Sequence, residues 1–94
     1  MANYKFDGRE LKDNRGNKVA VLDGKYFKDN RGNKIGEYDG QYFRDSRGNR
    51  VGQLDGEYMR DSSGSRIANI SDIRKEIEGI GGASLAGMWL FFIR

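Results

Sequence analysis

The chain has 94 residues, about one domain's worth, with 17 Lys and Arg against 14 Asp and Glu for a formal net charge of +3. It contains no Cys and no His, which excludes disulfides, thiol nucleophiles, zinc knuckles and the commonest general base and metal ligand. Fourteen Gly stand beside no Pro, so glycine alone must turn the chain.

In chain order, the segment Asn3-Tyr4-Lys5-Phe6 is predicted to form a strand before the first turn. From residue 7 a 16-residue period runs through four copies, 7–22, 23–38, 39–54 and 55–70. The second copy, DGKYFKDNRGNKIGEY, and the third, DGQYFRDSRGNRVGQL, share nine identities in 16. A fixed period of this kind marks a repeat architecture. Inside it, Gly8, Gly16, Gly24, Gly32, Gly40, Gly48, Gly56 and Gly64 fall on every eighth residue. Three residues after each comes an apolar side chain: Leu11, Val19, Phe27, Ile35, Phe43, Val51, Met59 and Ile67. Each eight-residue unit therefore reads as a turn plus one short strand.

Parity fixes the expected register, because cross-strand partners point to the same face. Asn30-Arg31-Gly32 fits a three-residue loop with left-handed Gly, pairing Lys28 with Lys34, Phe27 with Ile35 and Tyr26 with Gly36. Tyr38-Asp39-Gly40 is assigned the same three-residue form, pairing Ile35 with Phe43. The expected fold is mainly β: four 16-residue β-hairpin repeats over residues 1–70, closed into a pseudo-four-fold ring or small barrel, with a C-terminal apolar helix in residues 71–94. Closure would remove exposed sheet edges, and an open, solenoid-like stack is the alternative.

Past Ile70 the period stops. Ser71 or Asp72 is expected to cap a helix carrying Ile73, Ile77 and Ile80 on one side, broken by Gly79, Gly81 and Gly82. The last stretch carries Leu85, Met88, Trp89, Leu90, Phe91, Phe92 and Ile93 and is apolar on every side, so it must be buried in protein, in a partner or in lipid. Residues 80–93 fall short of the roughly 20 needed to span a bilayer, and the N-terminus shows no secretory signal. An eight-stranded barrel leaves no room for a helix inside, so the tail is expected to cap one mouth or to fill a wider opening. Subunit association and membrane attachment are its other uses.

The eight apolar residues form the expected core row. The opposite face is expected to hold Tyr26, Tyr42 and Tyr58 beside Gly36, Gly52 and Ala68, bordered by a row that is Lys or Arg in every copy: Lys12, Lys18, Lys28, Lys34, Arg44, Arg50, Arg60 and Arg66. The structural account of the tyrosines is that each ring covers the bare backbone of a cross-strand glycine. The functional account is an aromatic platform bordered by cations, suited to an anionic ligand. Like charges opposite one another are mildly destabilising, so a basic row needs relief, and Asp13, Asp29, Asp45 and Asp61 are its expected source. The Asp-Asn-Arg-Gly-Asn loops have ordinary turn roles and carry an Arg that opposes a cation, so no metal or other cofactor is read from them. No carboxylate is set apart for acid–base work, and Gly79-Ile80-Gly81-Gly82 lacks the Lys and Ser/Thr of a phosphate loop.

The repeated Asp-Gly-x-Tyr-Phe-Lys-Asp-Asn-Arg-Gly-Asn-Lys-Ile-Gly unit, followed by a hydrophobic C-terminal element, resembles the bacterial four-fold β-flower proteins. The resemblance implies four hairpins arranged like petals about an axis and no catalytic residues. The unit is also similar to the Tyr-Asp repeats of bacterial toxin shells and to MORN repeats, which differ in period or aromatic signature and serve as scaffolds or binding surfaces. The resulting expectation is a cytoplasmic, non-enzymatic binding or interaction module that recognises an anionic ligand or protein partner through Tyr26, Tyr42, Tyr58 and the basic row. The alternatives are a peripheral membrane protein anchored by its tail and a purely structural scaffold that forms homo-oligomers through the same segment.

Overall fold

The computed structural model describes residues 2–94. Ten strands make one sheet: β1 Tyr4–Phe6, β2 Glu10–Asp13, β3 Lys18–Asp23, β4 Tyr26–Asp29, β5 Lys34–Tyr38, β6 Tyr42–Asp45, β7 Arg50–Asp55, β8 Tyr58–Asp61, β9 Arg66–Asn69 and β10 Ile77–Gly79. Helix α1, Ile70–Glu76, lies between β9 and β10, and α2, Ala83–Met88, runs into a π-helical turn over Trp89–Ile93. The strands follow one another from β1 to β9 as antiparallel neighbours, and β10 returns to pair with β1 in parallel.

The two kinds of connection differ, and the difference resets the register. In the Asn30-Arg31-Gly32 loop, Asp29 N–H donates to the Asn33 carbonyl and Gly32 sits at φ +87°, the three-residue form expected from the sequence. Asp29 holds the loop: its Oδ1 accepts the backbone N–H groups of Arg31 and Asn33, both at 2.9 Å. The other connection is a two-residue loop, Gly40-Gln41, closed by Asp39 N–H donating to the Tyr42 carbonyl. It pairs Tyr38 with Phe43 and Glu37 with Arg44, which corrects the three-residue assignment. Parity survives because each hairpin has a β-bulge one step beyond its basic pair: Lys28 faces Lys34, but Phe27 faces Gly36. Ile35 is the extra residue, and Val19, Val51 and Ile67 repeat its position.

The bulge decides what the core contains. Leu11, Phe27, Phe43 and Met59 are fully buried, whereas Val19, Ile35, Val51 and Ile67 are only half-buried, so the expected core row divides into four buried residues and four at its margin, of which Val19, Val51 and Ile67 still pack against the core. The inner face instead pairs large with small across each hairpin: Leu11 with Ala20, Phe27 with Gly36, Phe43 with Gly52, and Met59 with Ala68. Gly36 and Gly52 therefore face the core and do not lie beneath tyrosines. Tyr38, assigned to a loop from the sequence, ends β5, and Leu22 and Leu54 lie likewise in β3 and β7.

The small side of each pair makes room for the tail. An added Cβ at Gly36 would strike the Phe91 ring and one at Gly52 would strike Leu90, while Gly87 meets the Phe27 ring in the same way. The Phe91 ring meets that of Phe27 at a tilt and that of Phe43 edge to face, with centroids at 5.1 and 6.3 Å. Leu85, Ala86 and Met88 are fully buried, and the Trp89 indole N–H donates to Glu76 Oε2 at 2.9 Å. The apolar segment thus lies on the inner face of its own sheet.

Helix α1 differs from its expected form. Asn69 is the N-cap, accepting Ser71 N–H at 2.8 Å, in place of Ser71 or Asp72. Only Ile73 of the three isoleucines is a buried helix residue, since Ile77 belongs to β10 and Ile80 is 67% exposed. Gly79 ends β10 with its α-carbon against the Phe6 carbonyl, where a side chain would collide. The hydrogen-bonded order has two ends, β9 and β10, so the sheet is open. The seven residues of α1 span about 10 Å, which keeps those edges a short distance apart.

Candidate functional site

The outer face is built from residues that flank the core positions. Tyr26, Tyr42 and Tyr58 precede the buried Phe27, Phe43 and Met59, so alternation turns them outward. Their cross-strand partners are Glu37, Gln53 and Asn69, because of the bulge, and not the glycines. What covers each ring is a cation: Lys34 Nζ lies 4.8 Å from the Tyr26 centroid, the Arg50 guanidinium 4.0 Å from that of Tyr42 and the Arg66 guanidinium 4.1 Å from that of Tyr58. The first copy has Glu10 in place of the tyrosine, and Lys18 stands over no ring.

The basic row divides into two sets. In the first, Lys28, Arg44 and Arg60 pair with Asp23, Asp39 and Asp55 of the two-residue turns at 2.8, 2.8 and 3.0 Å. Arg44 and Arg60 also donate to the Gly48 and Gly64 carbonyls of the next loop, at 3.1 and 2.8 Å. Lys12 meets Glu10 at 3.6 Å. The relief expected from Asp13, Asp29, Asp45 and Asp61 thus comes from a different set of carboxylates. Those four are occupied by their own loops, where the Asn17, Asn33 and Asn49 backbone N–H groups hold Asp13, Asp29 and Asp45 below the ordinary carboxylate range. The Ser63 hydroxyl is the main cause for Asp61. Asp39 is lowered to about 2, first by the Tyr42 backbone N–H and next by the Arg44 side chain.

The second set, Lys18, Lys34, Arg50 and Arg66, opens the second strand of each hairpin and is exposed. Lys34 meets Glu37 at 3.4 Å, but among the described residues Lys18, Arg50 and Arg66 have no carboxylate within ion-pair distance. Arg50 and Arg66 therefore combine a guanidinium seated over a tyrosine ring with an unneutralised charge. A guanidinium so placed presents its N–H groups to solvent in the planar fork that carboxylate and phosphate oxygens accept.

Three clefts mark the surface. One of about 370 Å³ lies over β1, β2 and β10 and is lined by Lys5, Lys12, Glu10 and Glu78 with Phe6 at its base. Another, about 220 Å³, is bounded by Leu22, Phe27, Tyr38 and Ser84 where α2 meets the sheet. The third, also about 220 Å³, brings Tyr42, Arg50 and Gln53 of the third copy against the Asp61-Ser62-Ser63-Gly64 loop of the fourth. Sequence reasoning placed Arg50 and Tyr42 correctly on one face but missed Gln53, Ser62 and Ser63. The signal was present as departures from the repeat: Gln53 stands where the second copy has Glu37, and Ser63 where the others have Arg15, Arg31 and Arg47.

The tail residues Leu85, Met88, Trp89, Leu90, Phe91, Phe92 and Ile93 lie apart from this face, packed on the inner side. No helix among the described residues is long and apolar enough to cross a membrane. Comparison of the chain with protein-family models, curated proteins and solved structures gives no match.

Proposed function

We propose that the protein is a non-enzymatic binding module whose outer Tyr and Lys/Arg face recognises anionic groups. The observation that carries this reading is the seating of Arg50 and Arg66 on Tyr42 and Tyr58 at 4.0 and 4.1 Å without an acidic partner. Cations held in place before a ligand arrives lose little conformational freedom on binding. The rest of the basic row is neutralised, Lys28, Arg44 and Arg60 by turn aspartates and Lys12 by Glu10, so recognition falls to Arg50, Arg66 and Lys18, with Lys34 contributing where Glu37 is displaced. A sequence pI near 9.3 favours encounter with polyanions.

The same reading includes four hairpin units arranged about a pseudo-four-fold axis, as in the β-flower proteins the repeat resembles. Its support is the equal length of the four copies, the central position of Phe91 against two of them, and the short α1 between the sheet edges. The burial of Leu85 and Met88 favours a structural use of the tail over lipid insertion.

Retention on immobilised heparin, read as the salt needed for elution, tests the reading. Arg50→Gln with Arg66→Gln is expected to lower that salt concentration clearly, whereas Arg44→Gln with Arg60→Gln, which removes two neutralised cations, changes it little. Equal losses from both substitutions would show that only net charge matters and would overturn the assignment.

A further inference from the structure

The cleft between the third and fourth copies has a chemistry that its relatives in the repeat lack. In the second copy the cation over the tyrosine, Lys34, is neutralised by Glu37, which also takes Lys25 at 3.6 Å. The first copy has Glu10 and Val21 in place of Tyr42 and Gln53. The fourth copy does seat Arg66 on Tyr58 across from the amide Asn69, but helix α1 follows it in place of another repeat loop; in the third copy the free cation on a tyrosine and the neutral amide Gln53 are faced by a serine loop. Ser63 stands in place of the bulky loop arginine, and Ser62 beside it, where the other copies have Asn14, Asn30 and Ser46, adds a second hydroxyl. Asp61 Oδ1 already accepts the Ser63 and Ser65 N–H groups and the Ser63 hydroxyl, which leaves Oδ2 open among its hydrogen bonds.

We propose that this cleft binds a sugar acid: a polyol of monosaccharide size carrying one carboxylate. The proposal rests on the anion-binding reading of the face and names the ligand class at one of its positions. Arg50 takes the carboxylate. Gln53, which both donates and accepts, and the Ser62 and Ser63 hydroxyls take ligand hydroxyls, while Asp61 Oδ2 accepts from a further one. Asp61 also decides against a phosphate dianion, since a second negative charge within the same small space repels it more strongly than it does a single carboxylate. At about 220 Å³ the cleft lies below the roughly 300–1,000 Å³ of drug-sized pockets and suits one ring.

The full chain titrated with glucuronate, glucose and inorganic phosphate, followed by amide chemical shifts, tests this. Glucuronate is expected to shift Arg50, Gln53 and Ser62–Gly64 saturably, with glucose and phosphate each weaker by about tenfold or more. Gln53→Glu recreates the self-neutralised arrangement of the second copy, so the fold should persist while glucuronate affinity falls by about tenfold or more. Arg31→Gln, at an exposed loop tip of the second copy outside the cleft, is expected to leave it within about twofold. Equal binding of glucose, equal binding of phosphate, absence of saturable glucuronate shifts, or undiminished affinity in Gln53→Glu each overturns the proposal. If glucuronate fails while heparin retention still depends on Arg50 and Arg66, the sugar-acid assignment alone falls. Loss of both removes the anion-binding reading as well.

Discussion

Small residues at fixed places determine how this chain packs. Gly36 has the Phe91 ring on one side and the Arg44 carbonyl 2.7 Å from where a Cβ would stand, so Gly36→Ala forces ring and backbone apart. The expected loss is about 1–3 kcal/mol, the usual range for overpacking, measured by urea unfolding. Replacing Gly40 tests another cause, since its φ of +100° strains any side chain in open space. Gly40→Ala should destabilise without any repacking of Phe91, seen as unchanged ring shifts of that residue. Protonation acts at this scale too. Asp39 has a folded pKa lowered to about 2 against an ordinary 3.8, so the folded state binds the proton less readily than the unfolded chain does. Its stabilisation is complete above the ordinary value and disappears as pH falls through the folded one. Thermal melts between pH 5 and pH 2, taken as broad limits for a carboxylate, should show a steeper decline in the native chain than in Asp39→Asn.

At the scale of elements, the sheet and the tail complete each other. The large and small inner pairs leave a trough over Gly36 and Gly52 that α2 and the π-helical turn occupy, and neither surface is fully covered alone. Phe91→Ala is expected to cost roughly 2–3 kcal/mol, below the full Phe→Ala range because the ring is half-buried. Deleting residues 83–94 should expose Phe27, Phe43 and Met59 and give an aggregating chain; a soluble truncation with an unchanged melting temperature would show that the tail lies elsewhere. The strands and the three-residue loops were legible in the sequence because Asp, Gly and an apolar residue recur at fixed offsets. The bulge was not, since Ile35 is as apolar as a core residue and its displacement goes with the two-residue form of the turn at Gly40-Gln41. For the same reason the aspartates that neutralise the basic row were misassigned. Alternation gave the correct face to Tyr42 and Arg50, whereas the stacking of one on the other depended on the shifted register.

For the whole molecule, the pairing of Tyr4 with Ile77 in β1 and β10 sets an order of events. Every other ladder joins strands adjacent in sequence, with short loops that close quickly. The parallel pair alone joins segments separated by most of the chain, and its closure entropy must be met before any contact there gives a return. Folding is therefore expected to proceed through the hairpins and to finish with β10. Ile77→Ala should then mainly accelerate unfolding in a denaturant chevron and leave the refolding arm nearly unmoved, while Phe43→Leu in the central hairpins slows refolding. During synthesis the first strand must wait, unpaired on one edge, until Ile77–Gly79 has left the ribosome. A charged Lys5 at the middle of that waiting strand is a suitable guard against pairing with another chain.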